Sequence, residues 1–422
     1  MALPSAATDR AEHLATLARL VGLIRHGDAV TRADLARLSG LSRSVVAQRV
    51  SQLVDLGLAE EVGLAASTGG RAARRISLRG DAGRLLVIFA GATTVSVAVT
   101  DLAGVILAEE QAALAIGIGP DAFCDRTGAI AASLLHELGD VAVWGIGVGL
   151  PGPIEFASGR PASPPIMSGW DGYDVRARFS ERFGAPTWVD NDVNVLALGE
   201  LHGGRGRGVD DLVYIKVGTG IGAGLISRGS IHRGAQGAAG DVGHVAVAEG
   251  STVACRCGNT GCLEALAGGA AITRDGLAAV AKGSSAALAE RVQETGTLTP
   301  RDIGAAARQG DRVAMQLLAN SGELVGEMLA TLVSFFNPAL VILGGSVAET
   351  GGVFVTADRE AVYRRSLPLA IKELRIETSA LGAAGGVLGA AAMVMDEIFV
   401  PERLGEWVVN GLPGADRTRK ES

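Results

Sequence analysis

Residues 186–201 read PTWVDNDVNVLALGEL and pass from an apolar run, through a polar turn, into a second apolar run. The first run is short and predicts a buried strand, and the second is long enough for a helix. A strand, a polar loop and a helix in this order favour an α/β protein. Asn191 and Asp192 fall where the predicted helix starts, so they are either ligand-binding groups or a simple helix cap.

The rest of residues 81–400 alternates strands and helices in the same way. We predict a meander of two or three strands over 85–110, a buried strand and Gly/Pro loop over 141–154, and a hairpin over 211–231. A long helix over 311–336 precedes a strand and turn at 338–347, and a last helix covers about 383–397. Residues 401–422 trend polar, and we expect a C-terminal tail whose last ten or so residues fray.

The first 80 residues predict a helix-turn-helix. Apolar residues at helical spacing indicate a helix over 11–26. Thr31 and Asp34 form a capping pattern that starts a short second helix, and Ser42 can cap a third. The turn between them contains Gly40. The inward face of the third helix is predicted to be Val46, Val50 and Leu53.

Two short predicted strands, 58–63 and 73–78, would form a wing after this motif. Exposed side chains of the third helix and wing arginines suit base edges and phosphates of DNA. A protein-docking helical bundle with solvated arginines is the alternative. The predicted DNA-contacting residues are Ser42, Arg43, Ser44, Ala47 and Gln48 on the helix, with Arg71, Arg74 and Arg75 in the wing.

Composition agrees with a two-part globular chain. The 422 residues are 48% apolar and carry a net charge of −7. Residues 1–84 hold 12 Arg against 8 Asp and Glu, a net of +4, which leaves −11 for the remainder. The basic segment favours a nucleic-acid-binding domain on an acidic body. No signal-peptide pattern opens the chain, and the longest apolar stretches, about 15 residues, are shorter than a membrane span. We therefore expect a cytoplasmic protein without a membrane partner.

Six motifs resemble the ROK family of repressors, open reading frames and sugar kinases. They are GLPGPI at 149–154, NDVN at 191–194, GTGIGAG at 218–224, GDVGH at 240–244, CRCGNTGCLE at 255–264 and VILGGSVAE at 341–349. The resemblance covers nearly the whole chain and implies a two-lobed, actin-like sugar-kinase fold over 81–400. The winged helix over 1–80 is typical of the repressor branch of the family.

The resemblance implies a sugar site. In kinases of the family, the residue matching Asp192 is the general base that takes the proton of a sugar hydroxyl. Asp241 departs from the family pattern, in which a longer Glu is usual, so it would reach a ligand through water or contact a differently placed hydroxyl. A relict cavity without a ligand is the alternative. The residues that match sugar-binding positions are Asn191, Asp192, Asp241, His244 and Glu264.

The phosphate half of that site departs further. The kinase branch opens with Asp-x-Gly-Gly-Thr, whose Asp serves the metal and the phosphates. Here the matching residues are Phe89, Ala90, Gly91, Ala92 and Thr93. Because Mg²⁺ takes oxygen ligands, a phenyl ring cannot replace that carboxylate. We expect a decayed ATP site, no catalytic residues and, in Asp192, a vestigial base.

Three of the four cysteines fall within residues 255–262. Cys255, Cys257 and Cys262, with His244 eleven residues before the first, form a Cys₃His set that predicts a structural zinc site. Unliganded thiols are the alternative. The fourth cysteine, Cys124, is expected to be a buried helix residue.

The sequence therefore predicts a sugar- or sugar-phosphate-responsive transcriptional regulator that acts as a repressor. Its expected partners are operator DNA, a small sugar ligand and further copies of itself, as a homodimer or a dimer of dimers. Two other hypotheses remain open. One is an ATP-dependent hexose kinase with an added DNA-binding domain, and the other is a DNA-binding protein with a purely structural sensor domain.

Overall fold

The computed structural model describes residues 6–25, 27, 31–64, 73–139 and 141–413, with the side chains from residue 10 onward. The helices are α1 Ala6–Arg25, α2 Arg32–Ser39, α3 Arg43–Asp55, α4 Pro120–Glu137, α5 Val175–Phe183, α6 Asp192–Gly203, α7 Leu263–Ala267, α8 Gly269–Ala281, α9 Ala286–Thr295, α10 Pro300–Arg308, α11 Arg312–Phe336, α12 Gly352–Arg365, α13 Pro368–Ile371, α14 Ala384–Ile398 and α15 Pro401–Asn410. The strands are β1 Ala59–Leu64, β2 Arg74–Leu78, β3 Arg84–Ala90, β4 Thr94–Asp101, β5 Ile106–Ala113, β6 Val143–Leu150, β7 Ile154–Glu155, β8 Arg160–Pro161, β9 Thr187–Asn191, β10 Leu212–Val217, β11 Ile221–Ser227, β12 Ser230–Ile231, β13 Leu340–Gly344 and β14 Arg375–Thr378.

The N-terminal elements α1, α2, α3, β1 and β2 form a winged helix-turn-helix. The Thr31 hydroxyl accepts a hydrogen bond from the backbone N–H of Asp34 at the start of α2, and Ser42 accepts one from Val45 at the start of α3. Between these helices Gly40 has φ +68°, a backbone conformation that favours glycine. The predicted inward face of α3 is fully buried.

Two five-stranded sheets with one topology form the body of the described chain. The first has the order β5-β4-β3-β6-β9 and the second the order β12-β11-β10-β13-β14. In each sheet three antiparallel strands are followed by two strands parallel to the third. The repeated order defines two equivalent lobes, and the carboxyl ends of their parallel strands provide the loops from which ligand sites are usually built.

Helices α6 and α14 pack against each other between the lobes, and their backbones approach closely at glycines. A Cβ on Gly199 would lie 2.2 Å from the carbonyl oxygen of Gly385, and one on Gly389 would lie 1.8 Å from that of Val195. Glycine is therefore required at both positions, because any side chain would push the backbones apart. This contact fixes α6, which begins at Asp192, against the C-terminal part of the chain.

The C-terminal segment differs from the expected tail. Residues 401–410 form α15, which packs on α1, and Trp407 is 8% exposed. Trp407 lies 5.1 Å from Trp144 and 5.9 Å from Phe399 between ring centroids. The core of the winged helix thus continues into the first lobe. The polar composition of this segment predicts a tail, because a single short helix needs only a few apolar residues, here Leu404 and Trp407, for its buried face.

No single helix among the described residues is long and apolar enough to cross a membrane. Helices α14 and α15, which meet at an angle of 69°, together reach the length and apolar composition of a membrane span, and only those two properties point to one.

Candidate sugar and metal site

Asn191 and Asp192 lie where β9 ends and α6 begins. The side chain of Asn191 caps α6 by accepting from the backbone N–H of Val193 at 2.8 Å. Its amide donates to the carbonyl oxygen of Gly152 at 2.7 Å, so it also holds the turn that follows β6. In that turn Gly152 has φ +131°, and a Cβ there would lie 3.1 Å from Pro164.

Asp190, the last residue but one of β9, holds the carboxyl end of that strand in place. Its side chain is 1% exposed and accepts hydrogen bonds from Asn194 at 2.9 Å and from the backbone of Asn191 at 2.7 Å. It also forms an ion pair with Arg233 of the second lobe at 2.7 Å. The guanidinium of Arg233 stacks 3.6 Å from the ring centroid of Phe156. This buried charge is therefore paired and fully hydrogen-bonded, and it ties one lobe to the other.

Asp192 itself is paired with Lys216 on β10. The Asp192 side chain is 4% exposed and that of Lys216 is 24% exposed. The Lys216 ammonium donates directly to Oδ2 of the carboxylate. An Asp from the first lobe and a Lys from the second thus meet in the cleft.

The cleft encloses a cavity of about 350 Å³ that brings the five predicted sugar-binding residues together. Glu264 faces the glycine turn that joins β10 and β11, since a Cβ on Gly220 would lie 2.3 Å from its carboxylate. The same carboxylate accepts from the backbone N–H of Ile221 at 3.2 Å. The lining residues with ionisable side chains are Asp192, Lys216, Asp241, His244 and Glu264, and Asn191 lies beside them.

His244 divides its two ring nitrogens between two neighbours. Nδ1 lies 3.5 Å from Sγ of Cys255, and Nε2 lies 3.9 Å from a carboxylate oxygen of Asp241. The Asp241 side chain is 48% exposed. Asp241 therefore lines the cavity with a side chain that remains open to solvent.

The predicted Cys₃His set comes together as expected from the spacing. One ligand atom from each of His244, Cys255, Cys257 and Cys262 lies within 4.8 Å of the others, and the Cys257 and Cys262 sulfurs are 3.7 Å apart. These distances match the edges of a tetrahedron around an ion that binds sulfur at about 2.3 Å. The residues could therefore hold one metal ion with no position left open.

The thiols of this cluster differ in acidity. A backbone hydrogen bond from Asn259 lowers the pKa of Cys257 to about 7, whereas burial raises the pKa of Cys262 to about 12 and also raises that of Cys255. Cys257 is thus the thiol most ready to become a thiolate ligand. By contrast, Cys124 lies buried on α4, as predicted, and burial raises its pKa to about 12.

The lining of the cavity consists of two sets of residues. Polar side chains form one set, called here the polar half: Asn191, Asp192, Lys216, Asp241, His244 and Glu264. The turns 91–94 and 218–220, with Ser346, form the other set, called here the glycine half. Phe89 is not among the lining residues. Its ring is pressed against α14 and β6, because a Cβ on Gly386 or Gly149 would lie 2.3 Å or 2.7 Å from it.

The residues predicted to contact DNA are exposed where the structure describes them. The five positions on α3, from Ser42 to Gln48, are all exposed. Arg74 is exposed on β2 and pairs with Glu61 at 3.2 Å, and Arg75 is exposed beside it. Arg71 lies outside the described residues.

A duplicated sheet, a polar cleft and an N-terminal winged helix define an α/β protein with a sugar-kinase-like body and a DNA-binding type of domain. The chain belongs to the ROK family, whose model matches residues 86–397. It is 31% identical to the xylose repressor of Caldicellulosiruptor bescii over 383 residues, which cover 88% of this chain and 92% of that protein.

Solved structures agree with this assignment. A ROK family transcriptional regulator, described as a homologue of the Escherichia coli MLC protein, superimposes with a TM-score of 0.81 at 24% identity and covers 95% of this chain and 100% of that one. A ROK family glucokinase from Streptomyces griseus, in complex with glucose and AMPPNP, gives 0.65 at 28% identity over 74% of this chain and 99% of that one. The predicted α/β fold and family are confirmed, and the similar proteins include both regulators and kinases.

Sequence reasoning missed Lys216, Asp190 and Arg233. A lysine inside a predicted hairpin has no local pattern that separates it from a solvated strand residue. The signal available was its position two residues before the glycine turn, in a chain with four lysines. Asp190 and Arg233 are 43 residues apart, and only the fold brings them together.

Proposed function

We propose that the protein is a sugar-responsive, DNA-binding transcriptional regulator that acts as a repressor. The observation that carries this proposal is the combination, in one chain, of an exposed recognition helix and a cavity lined by polar side chains suited to hydroxyls. Similarity to the xylose repressor along nearly the full length of both chains supports it. Such a regulator would work in the cytoplasm on operator DNA.

The DNA-binding part of this proposal assigns base contacts to the start of α3. Arg43 and Gln48 are exposed there, and their side chains suit guanine and adenine edges. We expect Arg43→Ala with Gln48→Ala to weaken binding to an operator selected from a random DNA library at least 10-fold. Fluorescence anisotropy at fixed salt measures this, with Arg301→Ala, at an exposed position of α10, as the control. Unchanged affinity of the double variant would show that α3 is not the reading helix.

We propose a structural zinc ion as the resident metal of the Cys₃His set. When bound, it supplies a fixed link between the loop of residues 255–262 and His244, without an open position for catalysis. His244 then presents Nε2 towards the cavity, and Glu264 follows two residues after Cys262. The set thus positions two of the proposed sugar contacts.

We further propose that the protein does not transfer phosphate. Phe89 packs on α14 instead of offering a carboxylate to the cavity, and the side chain of Asp192 is engaged by Lys216. The rival is an ATP-dependent hexose kinase, which the glycine turns of the cavity and the similar glucokinase favour. Sugar-dependent ATP consumption that is lost in Asp192→Asn would establish the rival instead.

Two further assignments belong to this proposal. The domain boundary is proposed near residue 80, between β2 and β3, and the regulator is proposed to act as a homodimer or a dimer of dimers, since winged-helix regulators read paired half-sites. Light scattering on the purified chain tests the second, with a monomer at micromolar concentration as the contradicting result.

A further inference from the structure

Lys216 occupies an unusual place for a lysine in this protein. It is one of four lysines among 38 basic residues, and Lys282 and Lys372 are exposed on the surface. Its partners across the sheet are Gly222 on β11 and Gly344 on β13. Directly paired residues share a face of a sheet, and these two have no side chains. No side chain therefore stands directly across from Lys216 on either neighbouring strand, and Lys216 lines the cavity.

The ion pair with Asp192 determines what this lysine can do. An ammonium group carries three N–H donors, and Asp192 accepts one of them. A carboxylate oxygen accepts a hydrogen bond from a hydroxyl group, while an ammonium donates one to the oxygen of the same or the neighbouring hydroxyl. The pair thus offers a matched acceptor and donor to a ligand in the cavity.

We infer that Lys216 is a ligand-contacting residue that, with Asp192, reads a hydroxyl of an uncharged sugar and selects that sugar over its phosphate ester. This inference rests on the proposed sugar-sensing function and names its ligand class. It also assigns to Asp192 a role in binding, since one of its carboxylate oxygens is held by the Lys216 ammonium.

The charges that line the cavity favour an uncharged ligand. Among the lining residues, all of which the structure describes, three carboxylates face one ammonium and one imidazole. Lys216 is in contact with Asp192, so its charge is already balanced. Asp241 and Glu264 remain, and His244 is engaged with Cys255. A phosphate dianion placed among them would meet like charges in a half-buried space, where screening by water is incomplete.

The test uses the full-length, zinc-containing protein and isothermal titration calorimetry. The probes are D-xylose, D-glucose and N-acetyl-D-glucosamine, together with glucose 6-phosphate and N-acetylglucosamine 6-phosphate. We expect the best neutral sugar to bind wild type at least 10-fold tighter than any ester. Lys216→Met is expected to weaken that sugar at least 10-fold, whereas the matched surface variant Lys282→Met stays within 2-fold of wild type.

A second measurement separates ligand contact from a purely structural role. Lys216→Met leaves the buried Asp192 unpaired, so thermal unfolding and zinc content are measured beside a double variant, Asp192→Asn with Lys216→Met, which removes both charges. Monodeoxy analogues of the best sugar are then titrated. We expect one analogue to lose at least 10-fold on wild type but less than 3-fold on Lys216→Met or on the double variant.

The outcomes are distinguishable. Tighter binding of a phosphate ester by wild type, or wild-type affinity for the neutral sugar in Lys216→Met, overturns this inference while leaving a sugar sensor in place. Equal losses for every deoxy analogue in wild type and Lys216→Met also overturn it, because the pair then reads no hydroxyl. If no probe binds wild type at millimolar concentration, the proposed sensing function fails and this inference fails with it.

Discussion

The two halves of the cavity are built from different kinds of residue. The polar half presents charged and amide side chains, and several are held by specific partners, such as Asn191 by Gly152 and Glu264 by Ile221. The glycine half presents backbone and small side chains of 91–94 and 218–220. The groups proposed to bind a sugar all line the cavity, whereas Phe89 stands where the family resemblance implies a carboxylate for metal and phosphates. Sugar binding and phosphate transfer are separable functions of this fold, and the difference between the two halves favours binding without transfer.

Loss of one ligand of the Cys₃His set should have the largest effect on sugar binding by the polar half. We expect Cys257→Ser to lower bound zinc from one ion per chain to below 0.2 and to weaken sugar binding roughly 100-fold, because metal binding and local folding are coupled. Mass spectrometry of the metal and calorimetry measure the two quantities. Cys124→Ser, at a buried thiol outside the cluster, is the control and should retain its zinc. Full zinc occupancy in Cys257→Ser would contradict the assignment of ligands.

Neutralising Asp192 should have the next largest effect on sugar binding. Asp192→Asn removes an acceptor and leaves the ammonium of Lys216, which is 24% exposed, without its carboxylate. We expect sugar affinity to fall roughly 30-fold and the free energy of unfolding to fall by about 2 kcal/mol, less than for a fully buried pair. Calorimetry and urea unfolding measure these changes, with exposed Asp210→Asn as the control. Wild-type sugar affinity in Asp192→Asn would remove this residue from the binding half.

A carboxylate at position 89 tests the glycine half. Phe89→Asp is expected to lower the free energy of unfolding by about 3 kcal/mol, because it exchanges a packed ring for a charge beside Gly386 on α14. Phe89→Leu should cost only about 1 kcal/mol. ATP consumption should stay at background in both variants. Sugar-dependent turnover in Phe89→Asp would show that the rest of the phosphate site is intact and would weaken the contrast between the halves.

The smallest effect is expected at Asp396, where α14 meets both α1 and α6. It pairs with Arg25 at 2.5 Å and lies 3.8 Å from His202, at the far end of the helix that starts at Asp192. Burial opposes ionisation of Asp396, but His202 and Arg25 outweigh it and hold the pKa at about 2. This lowered pKa stabilises the fold above about pH 4, and the contribution is lost as the pH falls through about 2.

Since the Asp396 side chain is 42% exposed, solvent screening reduces this contribution to about 1 kcal/mol. Asp396→Asn should therefore unfold about 1 kcal/mol more easily at pH 7, and its difference from wild type should shrink as the pH is lowered from 4 towards 2. Urea unfolding of both proteins at each pH measures the difference, in which any loss of metal common to both cancels. We also expect Asp396→Asn to reduce the effect of sugar on DNA affinity, because Asp396 contacts the far end of α6, the helix that starts at Asp192. An operator-binding assay with and without sugar measures this change.

Local signals in the sequence were sufficient for most elements. Thr31 and Ser42 are N-cap residues, and their positions predict where α2 and α3 begin. The long apolar repeat before Asn337 predicts α11 to within one residue of its observed start. These features depend on neighbours along the chain, which sequence patterns record. The cysteine spacing likewise brought four ligand atoms together, as predicted.

What the sequence could not reveal depends on distant neighbours. The pairing of Lys216 with Asp192 joins two lobes, and nothing near Lys216 distinguishes it from an exposed strand residue. The burial of Trp407 depends on Trp144, more than 250 residues earlier, so α15 read as a polar tail. Such contacts exist only once the sheets have formed.

The contact between α1 and α15 has a consequence for synthesis on the ribosome. The first helix of the chain finds its last packing partner only when residues 401–410 have been translated and have emerged. Until then, the apolar surface that covers Leu14 and Trp144 is missing from the nascent chain. Closing so long a loop is slow compared with local helix formation. A chain released before Pro401 would thus leave the side chains of Leu14 and Trp144 uncovered. Cellular quality control would have this exposed apolar surface by which to recognise incomplete products.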